Sequence, residues 1–180
     1  GDIESFPFVE AIRQLRWEMG KNCAVIHLTL VPFLSAAGEL KTKPTQHSVK
    51  TLLEQGVQPD IIVCRTERNL NESIRGKIAQ FCNVEVNAVI ESIDAASIYD
   101  VPLLMMEEKL DIEVLRKTNT PIPDKIDISK WEHFLHRLHN PVHQLTVALV
   151  GKYVELKDAY KSINESFIHA GVANESKVNI

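Results

Sequence analysis

Three short runs rich in aliphatic and β-branched residues, Cys23 to Val31, Ile61 to Cys64 and Ala88 to Ile93, alternate with segments whose apolar residues recur every three or four positions. Runs that short and that apolar fit strands buried on both faces, and strands separated by helices are joined by crossovers into a parallel sheet. The pattern therefore predicts an α/β fold with a helix-covered parallel sheet. Ser5 and Pro7 suit the cap and first turn of a helix carrying Phe8, Ile12, Leu15 and Met19, with Gly20 as its stop. Pro32 closes the first strand, and Ser35 to Gly38 is a small-residue loop. The next helix turns Val49, Leu52 and Leu53 inward and ends at Gly56. A third runs from about Asn71 to Phe81 with Ile74, Ile78 and Phe81 on one face and Lys77, partly covered, beside that stripe. Pro102 to Lys117 reads as helix with a break near Asp111.

Beyond the turn-rich Thr118 to Asp124, Ile128 to Leu138 is an amphipathic helix bearing Trp131, Phe134 and Leu135. A boundary falls near 141–145. After it, a buried strand from Leu145 to Val150 and a helix from Lys157 to Ala170 would begin a second α/β domain. The 44% apolar content of the 180 residues supports packed cores. A net charge of −4 argues against a general nucleic-acid binder, which would present a strongly basic face. Cys23, Cys64 and Cys82 sit in apolar runs without paired spacing and read as reduced core residues. No apolar run approaches the roughly 20 residues of a membrane span, and no basic segment followed by an apolar one opens the chain. A soluble, cytoplasmic protein without membrane association is expected. An opening Gly1 without a leader or initiating Met suggests a piece that begins inside a domain.

Parallel α/β sheets take ligands beyond the carboxyl ends of their strands. The run Lys41-Thr-Lys-Pro-Thr-Gln-His-Ser-Val-Lys50 follows the first strand and leads into a helix. Pro44 fixes its own φ and predicts an extended Lys43, so a helix beginning near Thr45 or Gln46 would aim its unpaired N–H groups at an anion held by Lys41 and Lys43. Phosphate suits such a place, with Thr45 and Gln46 as neutral donors to a sugar or base. A solvated basic turn is the alternative. Asp94, at the end of the third strand, can face a ligand or cap the following helix. Asp2, Ile3 and Glu4 precede the first helix, where carboxylates favour its positive end. His133, His136, His139 and His143 have a spacing from which a metal site could be built, yet without a Cys or acidic partner at fitting spacing they read as solvated. Gly151-Lys152 lacks the remainder of a phosphate loop, with Tyr153 where Ser or Thr is required.

The run Lys41-Thr-Lys-Pro-Thr-Gln46, with Gly1-Asp-Ile-Glu-Ser5 upstream, resembles the amidoligase (synthetase) domain of the CTP synthase family. His27-Leu-Thr-Leu-Val-Pro32, Pro59-Asp-Ile-Ile-Val-Cys-Arg65, Lys77-Ile-Ala-Gln-Phe-Cys-Asn83 and Ser97-Ile-Tyr99 match in the same order. Val147-Ala-Leu-Val-Gly-Lys-Tyr153 and Asp158-Ala-Tyr-Lys-Ser162 are similar to the opening of that family's glutaminase domain. The resemblance implies a Rossmann-like, P-loop-type sheet truncated at its N-terminus over 1–120, a linker with a helix over 121–144, and the start of a glutamine amidotransferase domain over 145–180.

It also implies that Lys41, Thr42, Lys43, Pro44, Thr45, Gln46 and Lys77 contact UTP, and CTP as product inhibitor. Asp2, Ile3 and Glu4 would belong to the CTP pocket, and Ile93, Asp94 and Ala95 to the ATP adenosine site. The implied reaction is an ATP- and Mg²⁺-dependent amination of UTP by ammonia from glutamine, with Lys43 as a candidate for stabilising developing charge, in a homotetramer. The family's phosphate loop and magnesium ligands are expected before Gly1, and its glutaminase Cys, His and Glu beyond Ile180. No metal ligand and no nucleophilic role therefore falls to Cys23, Cys64 or Cys82, and the piece alone is expected to be inactive. A non-catalytic nucleotide-sensing or oligomerisation module is the alternative reading.

Overall fold

A computed structural model describes residues 3–180 and divides into two compact units, one extending to Pro123 and the other Asp124–Ile180. In the first unit, strands β1 (Ile26–Leu30), β4 (Ile61–Thr66) and β5 (Val89–Ile93) form a parallel sheet in the order β1-β4-β5. Two-residue strands β2 (Phe33–Leu34) and β3 (Glu39–Leu40) make a small antiparallel hairpin after β1, turning through Gly38 at φ 66°. Helices α1 (Phe6–Met19), α2 (Lys43–Glu54), α3 (Glu72–Cys82), α4 (Val101–Glu107) and α5 (Leu110–Lys117) complete the unit.

The expected parallel sheet flanked by helices is present, and the central strand shows why. Alternate β4 side chains point to opposite faces. Ile62 and Cys64 join Val49 of α2 and Ile78, Ala79 and Cys82 of α3 in one core. Ile61 and Val63 join Ala88 and Ile90, against Met105, Leu110 and Val114 of α4 and α5, in the other. Burial pushes the Cys64 thiol up to about 12 and the Cys82 thiol up to about 11, so neither ionises near neutrality.

Edge strand β1 departs from the expectation of burial on both faces. Its polar residues are the covered ones: His27 Nε2 lies 2.8 Å from Ser48 Oγ of α2, and Thr29 is buried. Ile26, Leu28 and Leu30 face the other way and are exposed, because α4 and α5 pack on β4 and β5 and do not reach them. The apolar stripe of α1 is likewise exposed, including Phe8 and Leu15. That helix is held instead by Arg16, which donates to the Gln58 carbonyl and, at 2.9 Å, to Asp60 Oδ1, while Asp60 Oδ2 accepts from Val25 N–H.

Other boundaries shift by small amounts. β4 runs two residues past Cys64, through Arg65 to Thr66. Phe81 is exposed, since the covered face of α3 is formed by Ile78, Ala79 and Cys82. The break between α4 and α5 falls at Lys109, at φ 61°, two residues before Asp111.

Arg75 joins three elements of this unit. From α3 it donates to Glu108 Oε2 at 2.6 Å, to Glu108 Oε1 at 2.9 Å, to Glu91 Oε2 at 3.4 Å and to the Val89 carbonyl at 2.9 Å. Glu91 in turn accepts from Leu70 N–H, and Glu108 accepts from Glu91 N–H. Burial raises the Glu108 carboxyl pKa, but its hydrogen bonds from Arg75 and Glu91 and the Arg75 charge outweigh that and hold it low.

In the second unit, α6 (Ser129–His139) packs on α7 (Lys161–Ala173), and α7 is the crossover between parallel strands β6 (His143–Thr146) and β7 (Ser176–Asn179). The buried strand expected over Leu145 to Val150 is replaced by β6, which starts two residues earlier, ends at Thr146 and is exposed throughout, as befits one of only two strands. The helix expected from Lys157 starts as a 3₁₀ turn and becomes α-helical at Lys161.

Replacing Arg75 with Ala strands two carboxylates and is expected to lower unfolding free energy by about 2–4 kcal/mol, read as a shift in urea midpoint. The exposed Glu10–Arg13 pair is the control, and Arg13→Ala should leave the urea midpoint close to that of the parent. Burial lowers the pKa of His27 from its ordinary 6.5, so the folded state favours the neutral ring. Its contribution to stability is complete above the unfolded-state value and is lost as pH falls through the lowered folded value. Urea midpoints from pH about 7.5 to about 5.5 should therefore fall more steeply for the parent chain than for His27→Gln.

Candidate functional site

Two cavities open at the carboxyl edge of the sheet and beside it. The first, about 710 Å³, lies between the start of α2 and the start of α3. β3 and the turn after it supply Glu39, Leu40, Lys41 and Thr42, and α2 supplies Lys43 as its first residue. Opposite stand Asn71, Ser73, Ile74 and Lys77 of α3 and its cap, where the Asn71 side chain accepts from Ile74 N–H at 2.9 Å. Three lysines thus face one carboxylate. Lys41 is paired with Glu39, and that hydrogen bond, aided by the charges of Lys41 and Lys77, holds the Glu39 carboxyl below its usual range.

The run Lys41 to Gln46 does not act as one surface. Lys43 is not extended: α2 begins there, ahead of the start expected near Thr45 or Gln46, and Pro44 occupies the second helical position, where no N–H is needed. Only Lys41, Thr42 and Lys43 line the first cavity. Pro44 lines a smaller one of about 430 Å³ with Leu30, Ser48 and Arg65. Thr45 is fully buried, donating to the Leu30 carbonyl at 3.0 Å and accepting from Thr29 Oγ1 at 3.3 Å, so its hydroxyl ties α2 to β1. Gln46 donates to Thr42 Oγ1 at 3.0 Å and braces the turn. Lys77 is exposed, not partly covered. Ile3 and Glu4 are exposed at the start of the chain and do not line this cavity; Asp2 lies outside the described residues.

The second cavity, about 730 Å³, gathers Ile93, Asp94 and Ala95 with the apolar Leu28, Val63, Ile98 and Met105. Strand register places Arg65 beside Ser92 and Thr66 beside Ile93, and Asp94 N–H extends the ladder to the Thr66 carbonyl at 3.1 Å. This brings Arg65 Nη2 to 3.2 Å from Asp94 Oδ1 at the mouth, where both side chains are more than half exposed. Asp94 does not cap the next helix, because α4 starts only at Val101. Among the described residues no group of three or more His, Cys, Asp or Glu is placed to hold a metal ion, His133, His136, His139 and His143 included.

Glu39, Asn71 and Ser73 were not singled out by sequence reasoning. Asn71 before a helix reads as a cap, which it is, and the cap position is what brings it to the cavity. For Glu39 the available signal was its spacing of two from Lys41 in an extended segment, which sets both side chains on one side.

The chain matches, over residues 1–120, the family described as CTP synthase N-terminus. The chain belongs to the CTP synthase family. It is 61% identical over its whole length to a CTP synthase of Flavobacterium psychrophilum, 63% to one of Cytophaga hutchinsonii and 58% to one of Bacteroides fragilis. In each case it spans about a third of the relative's length, 34%. Among the described residues no helix is long and apolar enough to cross a membrane.

Thr45→Val keeps the shape and removes the hydroxyl, leaving the Leu30 carbonyl without this donor. It is expected to cost about 1–3 kcal/mol in urea unfolding, a loss that a hydroxyl serving only a ligand would not produce.

Proposed function

We propose that this chain is the part of a CTP synthase that holds the pyrimidine nucleotide, and that the whole protein aminates UTP to CTP with ATP and ammonia from glutamine, in pyrimidine nucleotide biosynthesis. The observation that carries this reading is the lysine cavity itself, formed where two helix starts meet, in a chain of this family. Lys41, Lys43 and Lys77 would receive the triphosphate of UTP, or of CTP as product inhibitor. Thr42, Asn71 and Ser73 would supply neutral hydrogen bonds around it. Ile3 and Glu4, which do not line this cavity within one chain, would with Asp2 serve a CTP pocket completed across subunits, and Gln46, Thr45 and Pro44 would act mainly by fixing the turn that carries the lysines.

The second cavity suits an adenosine: Leu28, Val63 and Ile98 offer apolar cover to a planar ring, with Asp94 and Arg65 at its mouth. ATP would activate the uracil O4 by phosphorylation, and ammonia would then displace phosphate at C4. Lys43 would stabilise negative charge developing on the transferred group. Magnesium would belong to this chemistry, and the family resemblance puts its acidic ligands in another part of the protein. We assign 1–120 to the synthetase domain, 121–144 to a linker and 145–180 to the start of a glutamine amidotransferase domain, in a cytoplasmic homotetramer.

Calorimetric titration tests the assignment. UTP and CTP should bind the chain, and Lys43→Ala or Lys77→Ala should weaken both by about tenfold, in line with loss of one charge-assisted contact. Asp94→Ala should leave UTP binding unchanged. Identical UTP affinity in both lysine variants would remove the cavity from consideration as the nucleotide site. The chain alone, which contains no phosphate-loop motif, is expected to form no CTP from UTP, ATP and ammonia.

A further inference from the structure

A carboxylate is an odd lining for a cavity meant for a polyanion. Glu39 stands on β3 beside the three lysines, paired with Lys41 and within the influence of Lys77. Its position follows from the hairpin. Gly38 at φ 66° turns the chain, Leu40 pairs with Phe33, and Lys41 N–H donates to the Pro32 carbonyl at 2.9 Å. Residues 39 and 41 of that extended segment therefore point the same way, into the cavity. Fixing a loop could have been left to the backbone contacts alone. What the carboxylate adds is charge: it cancels one of three positive charges and occupies the ammonium group that an anion would need.

We propose that Glu39 is a built-in competitor for the anion in this cavity, a specificity-determining residue that sets how much negative charge a ligand must carry to displace it from Lys41. The proposal rests on the reading of the cavity as a polyphosphate site. An orthophosphate offers too little charge to replace the carboxylate and still satisfy Lys43 and Lys77. A triphosphate spans the cavity, takes Lys41 and leaves Glu39 to water. The competition costs affinity for every anion and costs proportionally most for the weakly charged ones, which turns a general basic pocket into one selective for a highly charged chain of phosphates. Because Glu39 and Lys41 are both partly exposed, the exchange needs no backbone movement.

The test uses the 180-residue chain with inorganic tripolyphosphate and orthophosphate as probes, by calorimetry at low salt. Glu39→Gln, an exposed and nearly isosteric change, should bind tripolyphosphate about three- to fivefold more tightly than the parent. It should also show measurable orthophosphate binding, narrowing the selectivity between the two probes. The gain should fade at about 0.5 M salt, as expected for a charge effect. Lys43→Ala and Lys77→Ala should bind tripolyphosphate more weakly.

A second readout is the Glu39 carboxyl followed by NMR. Its titration midpoint, held low by Lys41, should move upward when tripolyphosphate saturates the cavity. If the lysine variants weaken binding while Glu39→Gln binds as the parent does, or more weakly, the competition is overturned and the cavity reading stands. An unmoved Glu39 midpoint at saturation overturns it equally. If the lysine variants bind as the parent does, or if no variant binds either probe, the cavity reading falls and the proposal with it.

Discussion

The hydrogen-bonded cluster around Arg75 is the interaction on which the arrangement of both cavities depends. Its guanidinium reaches from α3 to the β5 backbone at Val89, to Glu91 of β5 and to Glu108 just after α4, each contact within 3.4 Å. Lys77, Ser73 and Asn71 occupy the same helix or its cap and form one wall of the lysine cavity. Ile93 and Asp94 continue β5 and, with Met105 of α4, form the other cavity. Both positions are therefore referred to one partly buried cation. Such a cluster contributes little net stability relative to an apolar substitute of the same shape. It fixes one arrangement, because any shift of α3 along β5 would leave a carboxylate without its partner.

The sheet is asymmetric for reasons that can be traced through its strands. β4 is central and buried on both faces, so its sequence is continuously apolar as far as Cys64. β1 has nearly the same composition but lies at an edge, with α2 covering its polar side. The bare side, Leu28 above all, becomes the apolar wall of the second cavity. A cavity wall thus arises where strand composition and helix cover disagree. The exposed stripe of α1, attached through Arg16 and not through its Phe8 or Leu15, repeats that disagreement.

Periodicity made the parallel α/β fold legible, because β4, α3 and β5 have both the composition and the punctuation of their state. It failed wherever cover is decided by something outside the segment. The apolar run that became β1 could not show that α4 and α5 stop short of it, and Leu145 to Val150 could not show that its sheet has only two strands. Phe81 and Ile78 are three apart and equally apolar, yet only Ile78 meets the core. At the site, the lysines were legible as charges near a helix start. The roles within Lys41 to Gln46 were not, since a threonine that binds a ligand and one that binds a neighbouring strand have the same local sequence.

That distinction changes how the lysine run works. Starting α2 at Lys43 puts its ammonium at the positive end of the helix, and Thr42 makes no side-chain cap there. The position is unfavourable for a lysine taken alone, because like charges meet. It is tolerable because Thr45, one turn in, binds the Leu30 carbonyl and anchors the helix to the sheet, while Gln46 holds Thr42. An anion placed there would relieve the repulsion, and the turn is already held by Thr45 and Gln46, which do not line the cavity. On the proposed reading, affinity would depend on Thr45, which is buried and holds the turn, as well as on Lys43, which is exposed.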